Sequence, residues 1–363
     1  MPSLEIKAVS CPIPFRTRFG HASAERASAE NIIVLVKDRS GLFGLGEGCP
    51  RSYVTGETVA TALVFVKAHR DTFARLEGFD DLKAWMATHE VEIDANPSAF
   101  CAVELALLDL FGRRAQKPLE AFLGIPRASS IPASAVYGTS GGLKFKAQRL
   151  LFKMNGLHDA KLKVSGDARR DVARVRALSR SGAVRLDANN LWPDAASAIA
   201  ALKNLAAFAW AVEEPIKPRD WAGLRAISEA TGLLIIADES LTRLADLSAM
   251  PEGFAVNLRV SKLGGLLRSR AVLDCARAQN RPIIIGAQVG ETSILARAAL
   301  SLAAAASGDL RGFEAGYGTW LLTQDIVSPE LRIAHGGLRP DPIVSAYGMG
   351  LTLTAHAGAF GLS

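Results

Sequence analysis

The sequence predicts an α/β fold, a closed barrel of parallel strands with a smaller α+β unit ahead of it, and three observations carry this expectation. From Ile131 onward eight short apolar runs recur, beginning near Ile131, Ala160, Ala183, Ala209, Leu233, Ala255, Pro282 and Leu310, with helical stretches such as 171–179, 195–205 and 266–279 between them. Their spacing of roughly 22 to 30 residues is that of successive strand–helix units, and short runs without polar alternation are how buried parallel strands read. Three consecutive runs end abruptly in acids, namely Val184-Arg-Leu-Asp187-Ala-Asn189, Ala211-Val-Glu213-Glu214-Pro215 and Leu233-Leu-Ile-Ile-Ala-Asp238-Glu239-Ser240. Residues 1 to about 125 have a different texture, strands first and helices after. A doubly wound open sheet uses the same units, but acids on successive strand ends suit a closed ring better than a single crevice.

In chain order, Leu4-Glu-Ile-Lys-Ala-Val9 and Asn31-Ile-Ile-Val-Leu-Val36 alternate like antiparallel strands, and Asp38-Arg-Ser-Gly41 is a turn before Phe43. Between the two strands, Phe15-Arg-Thr-Arg-Phe-Gly-His21-Ala-Ser is polar and glycine-marked, so a loop is expected, with Phe19 and His21 as lid residues over a site. The cluster Gly41-Leu-Phe-Gly44-Leu-Gly46-Glu47-Gly48 is no phosphate loop: it follows a hairpin, lacks a Gly-Lys-Ser/Thr ending and runs into Pro50. From Val54 to about Gly124 the pattern is helical, with Asn96-Pro97-Ser98 opening a second long helix.

Composition bounds the function. With 363 residues, 49% of them hydrophobic, and a mean hydropathy of +0.18, the chain is long enough for one large and one smaller domain with a well-buried core. No apolar run reaches membrane-spanning length and no leader precedes Glu5 and Lys7, so an unexported protein without membrane partners is expected. Four dispersed cysteines, Cys11, Cys49, Cys101 and Cys275, suggest neither zinc nor disulfides and fit a reducing cytoplasm. The formal charge of +6 is scattered rather than gathered in a stripe with aromatics, which argues against nucleic acid. A homo-oligomer is expected.

The strand-end acids define the expected chemistry. Barrels build their sites at the C-terminal mouth, where Asp187, Glu213 and Asp238 would converge, and three carboxylates with open positions describe a hard-cation site for Mg²⁺ or Mn²⁺. Alternation allows only one member of each pair, Glu213-Glu214 and Asp238-Glu239, to point at the ion. Lys161 and Lys163, two apart in Ala160-Lys-Leu-Lys-Val164, share a face, and a lysine near a cation is a candidate base. Lys262 approaches from the opposite side. A small carboxylate on the metal would place its α-carbon between Lys163 and Lys262, and loss of the α-proton would build an enediolate that the ion stabilises.

Taken together, Lys161-x-Lys163, Asp187-x-Asn189, Glu213-Glu214-Pro215, Asp238-Glu239-Ser240 and Asn257-Leu-x-x-Ser-Lys262-x-Gly-Gly resemble the enolase superfamily, and within it the muconate-lactonizing-enzyme subgroup of the mandelate racemase/muconate lactonizing enzyme family. Gly44-x-Gly46-Glu47 and Tyr53-Val-Thr-Gly-Glu57-Thr resemble that family's N-terminal domain. A Lys or His base beside Mg²⁺ that stabilises an ene-diolate is a known property of the superfamily and comes with the resemblance. The resemblance implies a (β/α)7β TIM-like barrel over 126–325, an α+β capping domain over 1–125, and a segment over 326–363 packing back on the capping domain. It implies Glu213 and Asp238 as metal ligands beside Asp187, Lys163 and Lys262 as the acid/base pair, Asn189 as support and Lys161 as a tuner of Lys163 or a substrate contact. Glu239 and Tyr53 are expected near the substrate.

Departures narrow the activity. Arg281-Pro-Ile-Ile-Ile-Gly286 carries no histidine, so the His/Asp base of the mandelate-racemase branch is missing. Gly312-Phe-Glu314-Ala-Gly316 replaces the Asp-x-Asp that dipeptide epimerases use for an ammonium group, leaving Glu314 either a looser cation holder or structural. Gln288 and Glu291 follow the seventh strand and are further substrate candidates. Racemase, epimerase or cycloisomerase chemistry leads, with o-succinylbenzoate-synthase-like dehydration as the alternative and a metal-binding scaffold without turnover behind both.

Overall fold

The structure is a computed structural model that describes residues 3–21, 24–306, 308–339 and 346–362, with backbone alone over 17–26. It opens with an antiparallel sheet of β1 (Leu4–His21), β2 (Ala24–Asp38) and β3 (Phe43–Gly48), in that order. Five helices follow: α1 (Val59–Phe73), α2 (Phe79–Thr88), α3 (Glu90–Ala95), α4 (Pro97–Arg114) and α5 (Leu119–Leu123). A Thr58/Thr61 capping box starts α1, Pro97 opens α4, and left-handed Gly124 (φ 65°) ends α5. These are the signals that starts and stops require.

The expected loop at 15–23 is corrected: β1 continues to His21, pairing Phe19 with Arg26 and His21 with Ala24 after a register shift beyond Pro14. Polarity is no bar to a paired strand, because pairing uses the backbone, and a hairpin need not bury both faces. The side chains of Phe19 and His21 lie outside the described residues.

The glycine cluster has a packing reason. Gly44, Gly46 and Gly48 alternate along β3 on the face met by α4, where an added Cβ would lie 2.0 Å from Ala106 O, 1.9 Å from Ala102 O and 2.0 Å from Ser98 O. Backbone meets backbone there, which only glycine permits.

Eight parallel strands then alternate with seven helices. After β4 (Ile131–Pro132) come β5 (Ala135–Tyr137), α6 (Gly142–Met154), β6 (Ala160–Lys163), α7 (Ala168–Ser179), β7 (Val184–Asp187), α8 (Ala195–Leu202) and β8 (Ala211–Glu213). The series continues with α9 (Trp221–Thr231), β9 (Leu234–Ala237), α10 (Asp246–Ala249), β10 (Ala255–Leu258), α11 (Leu266–Ala278), β11 (Ile283–Ile285), α12 (Ser293–Ala305) and β12 (Leu310–Phe313). Strands β5 to β12 are neighbours in sequence order. Asp167, Asp194, Asp220 and Thr292 cap α7, α8, α9 and α12 through side-chain oxygens. The run at Ile131 is not the first barrel strand; that role falls to β5. Pro132 cannot donate to a central ladder. Ser134 ties β12 to β5: its N–H donates to Phe313 O (2.7 Å), its hydroxyl accepts from Phe313 N–H (3.2 Å), and its carbonyl accepts from the Tyr317 hydroxyl (2.6 Å).

After α13 (Gly318–Leu321), β13 (Val327–Ser328) pairs with β16 (Thr352–Leu353), while β14 (Ile333–Ala334) and β15 (Gly337–Leu338) join β4. The tail also meets the N-terminal unit, where Met349 N–H donates to Asp109 (2.7 Å) and Arg113 donates to Leu351 O (2.6 Å). Among the described residues no helix is long and apolar enough to cross a membrane.

Carboxylates of the N-terminal unit clasp the barrel's helices. Glu47 accepts from Thr292 N–H (2.9 Å) and Leu295 N–H (3.1 Å) at the start of α12, and Glu104 from Leu266 N–H (2.6 Å) and Leu267 N–H (2.9 Å) at the start of α11. Acids are favoured at such positive helix ends. Glu120 pairs with fully buried Arg297 of α12 (2.7 Å). Burial raises the Glu120 carboxyl, but the Arg297 bonds and charge outweigh it and hold it below the ordinary range.

Gly46→Ala is expected to cost about 3 kcal/mol in urea unfolding, because the new methyl overlaps a helix carbonyl that cannot retreat. Glu120→Gln is expected to cost roughly 3 kcal/mol at pH 7 by stranding a buried guanidinium. A depressed carboxyl stabilises above its unfolded value and loses that contribution as pH falls through its folded value, so the gap between variant and wild type should close in acid.

Candidate active site

Period-two alternation stacks the site in layers. Lys161 pairs in register with Arg185, and above them Lys163 aligns with Asp187 and Asp187 with Glu213. The lower layer is charged only along one side of the barrel interior; along the other, Ala211, Ile236, Ala255 and Ile284 form a small apolar cluster.

Lys161 is buried among three carboxylates, 3.2 Å from Asp187 Oδ2, 2.8 Å from Glu213 Oε2 and 3.1 Å from Glu314 Oε2. Burial lowers its affinity for the proton, but the three acids outweigh this and raise it. Burial likewise raises Asp187, while Lys161 and Lys163 hold it down at about 2. Glu314 bonds Arg185 (2.9 Å) as well as Lys161, and Arg185 goes on to Asp159 (2.6 Å). Of the two roles expected for Glu314, the structural one is what these bonds describe. Arg185 escaped the sequence analysis, although its place two before Asp187 puts it on the inward face. Gly312 gives it room, since a Cβ there would stand 2.9 Å from the guanidinium.

Lys163 stands at the mouth with its side chain 19% exposed, donating to Asn189 Oδ1 (2.9 Å) and lying 3.8 Å from Asp187 Oδ2. Asn189, at φ 44°, turns its own N–H back to Asp187 Oδ1 (3.2 Å). Glu214 faces away from this cluster and braces the next strand end: it accepts from Asp238 N–H (2.7 Å), Ser240 N–H (2.8 Å) and the Ser240 hydroxyl (2.8 Å). Glu213 is therefore the inward acid of its pair, bonded by Asn257 Nδ2 (3.0 Å).

On the β10 side two cations stand near the acids. Lys262 is wholly buried, and its ammonium donates to Asp238 O (2.6 Å), Asp238 Oδ1 (2.8 Å) and Asn257 O (2.9 Å). All three donors of the ammonium are thus placed on the ends of β9 and β10. Burial, then the charge of Arg259, pushes it down to about 7. Arg259, which the sequence analysis passed over, also enters the acid cluster from this side. It touches Asp238 Oδ2, lies 3.6 Å from Glu213 Oε1 and 4.0 Å from Glu239 Oε1, and donates to Gln288 Oε1 (3.3 Å). Its signal was present: two residues past inward Asn257, it shares that face.

Gln288 and Glu291 are joined by the Gln288 N–H (2.6 Å), and burial pushes Glu291 up to about 8. Tyr53 is half-buried in the turn after Arg51, whose guanidinium donates to Val289 O (2.9 Å) and so seats that turn on the same loop. Among the described residues, no three acids, histidines or cysteines meet closely enough to hold a metal, because the chain's own cations stand between Asp187, Glu213 and Asp238. The donor set still suits a hard cation. Buried oxygens Glu213 Oε2 and Asp238 Oδ2 face cations without hydrogen-bond geometry, and Glu239 Oε2 has no hydrogen-bond partner.

Comparison with known proteins places this architecture. Residues 4–124 match the mandelate racemase/muconate lactonizing enzyme N-terminal domain, and 144–357 match the enolase C-terminal domain-like family. The chain belongs to the mandelate racemase/muconate lactonizing enzyme family of the enolase superfamily. It is 31% identical over 303 residues to a hydrophobic dipeptide epimerase of Enterococcus faecalis, covering 81% of this chain and 84% of that one. A dipeptide epimerase from Methylococcus capsulatus, solved with Mg and the dipeptide L-Arg-D-Lys, superposes with a TM-score of 0.83 at 25% identity, over 97% of this chain and 100% of that one. The fold is also that of 2-chloromuconate cycloisomerase from Rhodococcus opacus, at TM-score 0.83 and 23% identity, over 98% of each chain.

Arg185→Met is expected to destabilise the barrel by about 3 kcal/mol, since it leaves Glu314 and Asp159 short of a partner in the interior. Chemical denaturation measures it.

Proposed function

We propose that this protein is a Mg²⁺-dependent isomerase that removes the proton α to the carboxylate of a small acid or amino-acid derivative, in the racemase/epimerase or cycloisomerase class. One observation carries the reading: a partly exposed ammonium, Lys163, stands beside three buried carboxylates on adjacent strand ends. Its relatives include dipeptide epimerases, one of them solved with Mg and a dipeptide. Asp187, Glu213 and Asp238 would hold the ion, which when bound supplies positive charge that favours the enediolate.

Lys163 takes the α-proton, and Asn189 aims its nitrogen. Lys161 is engaged in holding Asp187, Glu213 and Glu314 in place, and so keeps like charges from scattering. The N-terminal unit, residues 1–125, shelters the mouth of the barrel over 126–325, with Tyr53 near the substrate. The tail over 326–363 fastens the two. Four cysteines without disulfides among the described residues support a cytoplasmic setting.

Incubation with Mg²⁺ in D₂O and a panel of N-acylamino acids, dipeptides and lactone-forming diacids should give α-deuterium incorporation. The Lys163→Ala variant should lose it by about 10²-fold or more. Mg²⁺ binding by calorimetry without exchange from any acid would instead mark a scaffold.

A further inference from the structure

We infer that α6 is an interaction surface for a second copy of this chain, and that it takes the acidic α3 of that copy head to tail. Of the ten large apolar side chains that stand exposed among the described residues, four lie on α6: Leu143, Leu150, Leu151 and Met154. Leu143 is 83% exposed and Met154 76%. With exposed Ala147 between them, Leu143, Leu150 and Met154 fall at spacings of three and four and form one line along the helix. Phe145 and Phe152, seven apart, are buried on the opposite face. The helix therefore meets the barrel with one apolar face and presents a second to the outside, which packing within the chain does not use.

Charge selects the occupant. The helix carries Lys144, Lys146, Arg149 and Lys153 and no acid. Exposed Lys146 and Lys153 follow one edge of the apolar line, and Lys144 with Leu151 follows the other. Lys144 stands in the first turn, where the helix dipole opposes a cation, so its charge does not serve the helix itself. A pairing of α6 on α6 would bring two lysine-edged faces together. The complement lies elsewhere in the same chain. In α3, Glu90, Val91 and Glu92 are all exposed, and Val91, at 82%, stands between the two acids. Exposed Ala95 shares its face one turn on. Glu92 lies 2.9 Å from His69 and is still half exposed, and Asp80 and Asp81 of α2 extend the acidity. An apolar line edged by ammonium groups is matched by an apolar knob edged by carboxylates.

Topology makes the contact intermolecular. Helix α6 lies between β5 and β6, whereas α3 is fastened beside β10: its Asp94 accepts from Arg268 of α11 and lies 3.9 Å from Arg243, just ahead of α10. Strands β5 to β12 follow one another around the ring, so the two places are on opposite sides of the barrel. No copy can reach its own α6 with its own α3. Different patches then meet at each contact, and such a join closes into a ring or runs on as a filament. The leucine line supplies the apolar centre of the contact, and the charged edges orient it. This assembly is independent of the reaction at the barrel mouth.

Gel filtration with light scattering on the full chain tests this. Wild type should run above the mass of two 38.5 kDa chains and shrink as salt is raised. Leu150→Asp combined with Met154→Asp should lose that assembly. So should Lys146→Glu combined with Lys153→Glu, and separately Glu90→Lys combined with Glu92→Lys. An equimolar mixture of the two charge-reversed proteins should assemble again, as should one chain carrying all four reversals. Rescue by mixing separates a broken contact from a broken fold, because a misfolded chain is not restored by a partner. Wild type that stays at one or two chains overturns the proposal. Assembly that survives Glu90→Lys with Glu92→Lys overturns the role of α3 and points to α6 pairing with itself. Reversed proteins that do not recover on mixing overturn the head-to-tail match. Wild type that remains a single chain and floats with phosphatidylglycerol vesicles makes lipid the occupant and overturns it equally.

Discussion

The arrangement depends on one buried ammonium. Lys161 lies among Asp187, Glu213 and Glu314, and without it three carboxylates would face one another inside a barrel from which water is largely excluded. Like charges at such distances in a low-dielectric interior do not all stay ionised. Lys161 holds them close and favours their ionised forms, outweighing burial with other cations at Asp187 and Glu314, whereas burial still leaves Glu213 raised. Its own burial is offset by three partners, the condition under which an interior charge is tolerated. The pattern extends downward, where Glu314 hands its second oxygen to Arg185 and Arg185 reaches Asp159 at the barrel's lower rim. Charges alternate in sign along one wall, and in the lower layer the facing strands carry a small apolar cluster.

Around this column the chain separates holding from acting. Glu214, Ser240 and Lys262 are committed to one another's strand ends and fix where Asp238 stands. Lys163 is the more exposed amine, tied by one hydrogen bond to Asn189 and a longer contact with Asp187.

Helix ends help to join the two units, beside an apolar core that runs through both. Glu47 and Glu104 satisfy N–H groups that the first turns of α12 and α11 leave open, and Glu120 neutralises Arg297. Helices α11 and α12 flank β11, and the loop between β11 and α12 carries Gln288 and Glu291. The clasp that fixes the N-terminal unit thus also fixes one edge of the site.

Much of this was legible in the chain. Recurrent apolar runs ending in Asp187, Glu213 and Asp238 announced the barrel and its acidic mouth, because period and burial are properties of neighbouring residues. The Lys161-x-Lys163 spacing likewise placed both amines on one face. The β1–β2 extension was not legible, since strand pairing is made by backbone atoms that polar side chains do not betray. Nor was the role of Gly44, Gly46 and Gly48, which depends on carbonyls of a helix far along the chain. The sequence by itself determined the fold class, the line of strand-end acids and the two lysines that share a face beside them. Only the tertiary structure decided that Glu214 turns away from the acid cluster, that Glu314 belongs to Arg185 and Lys161, and that Arg259 joins Lys262 on Asp238. The reason is physical: side-chain type sets what a group can donate or accept, whereas only the packed chain sets which partners have already claimed it.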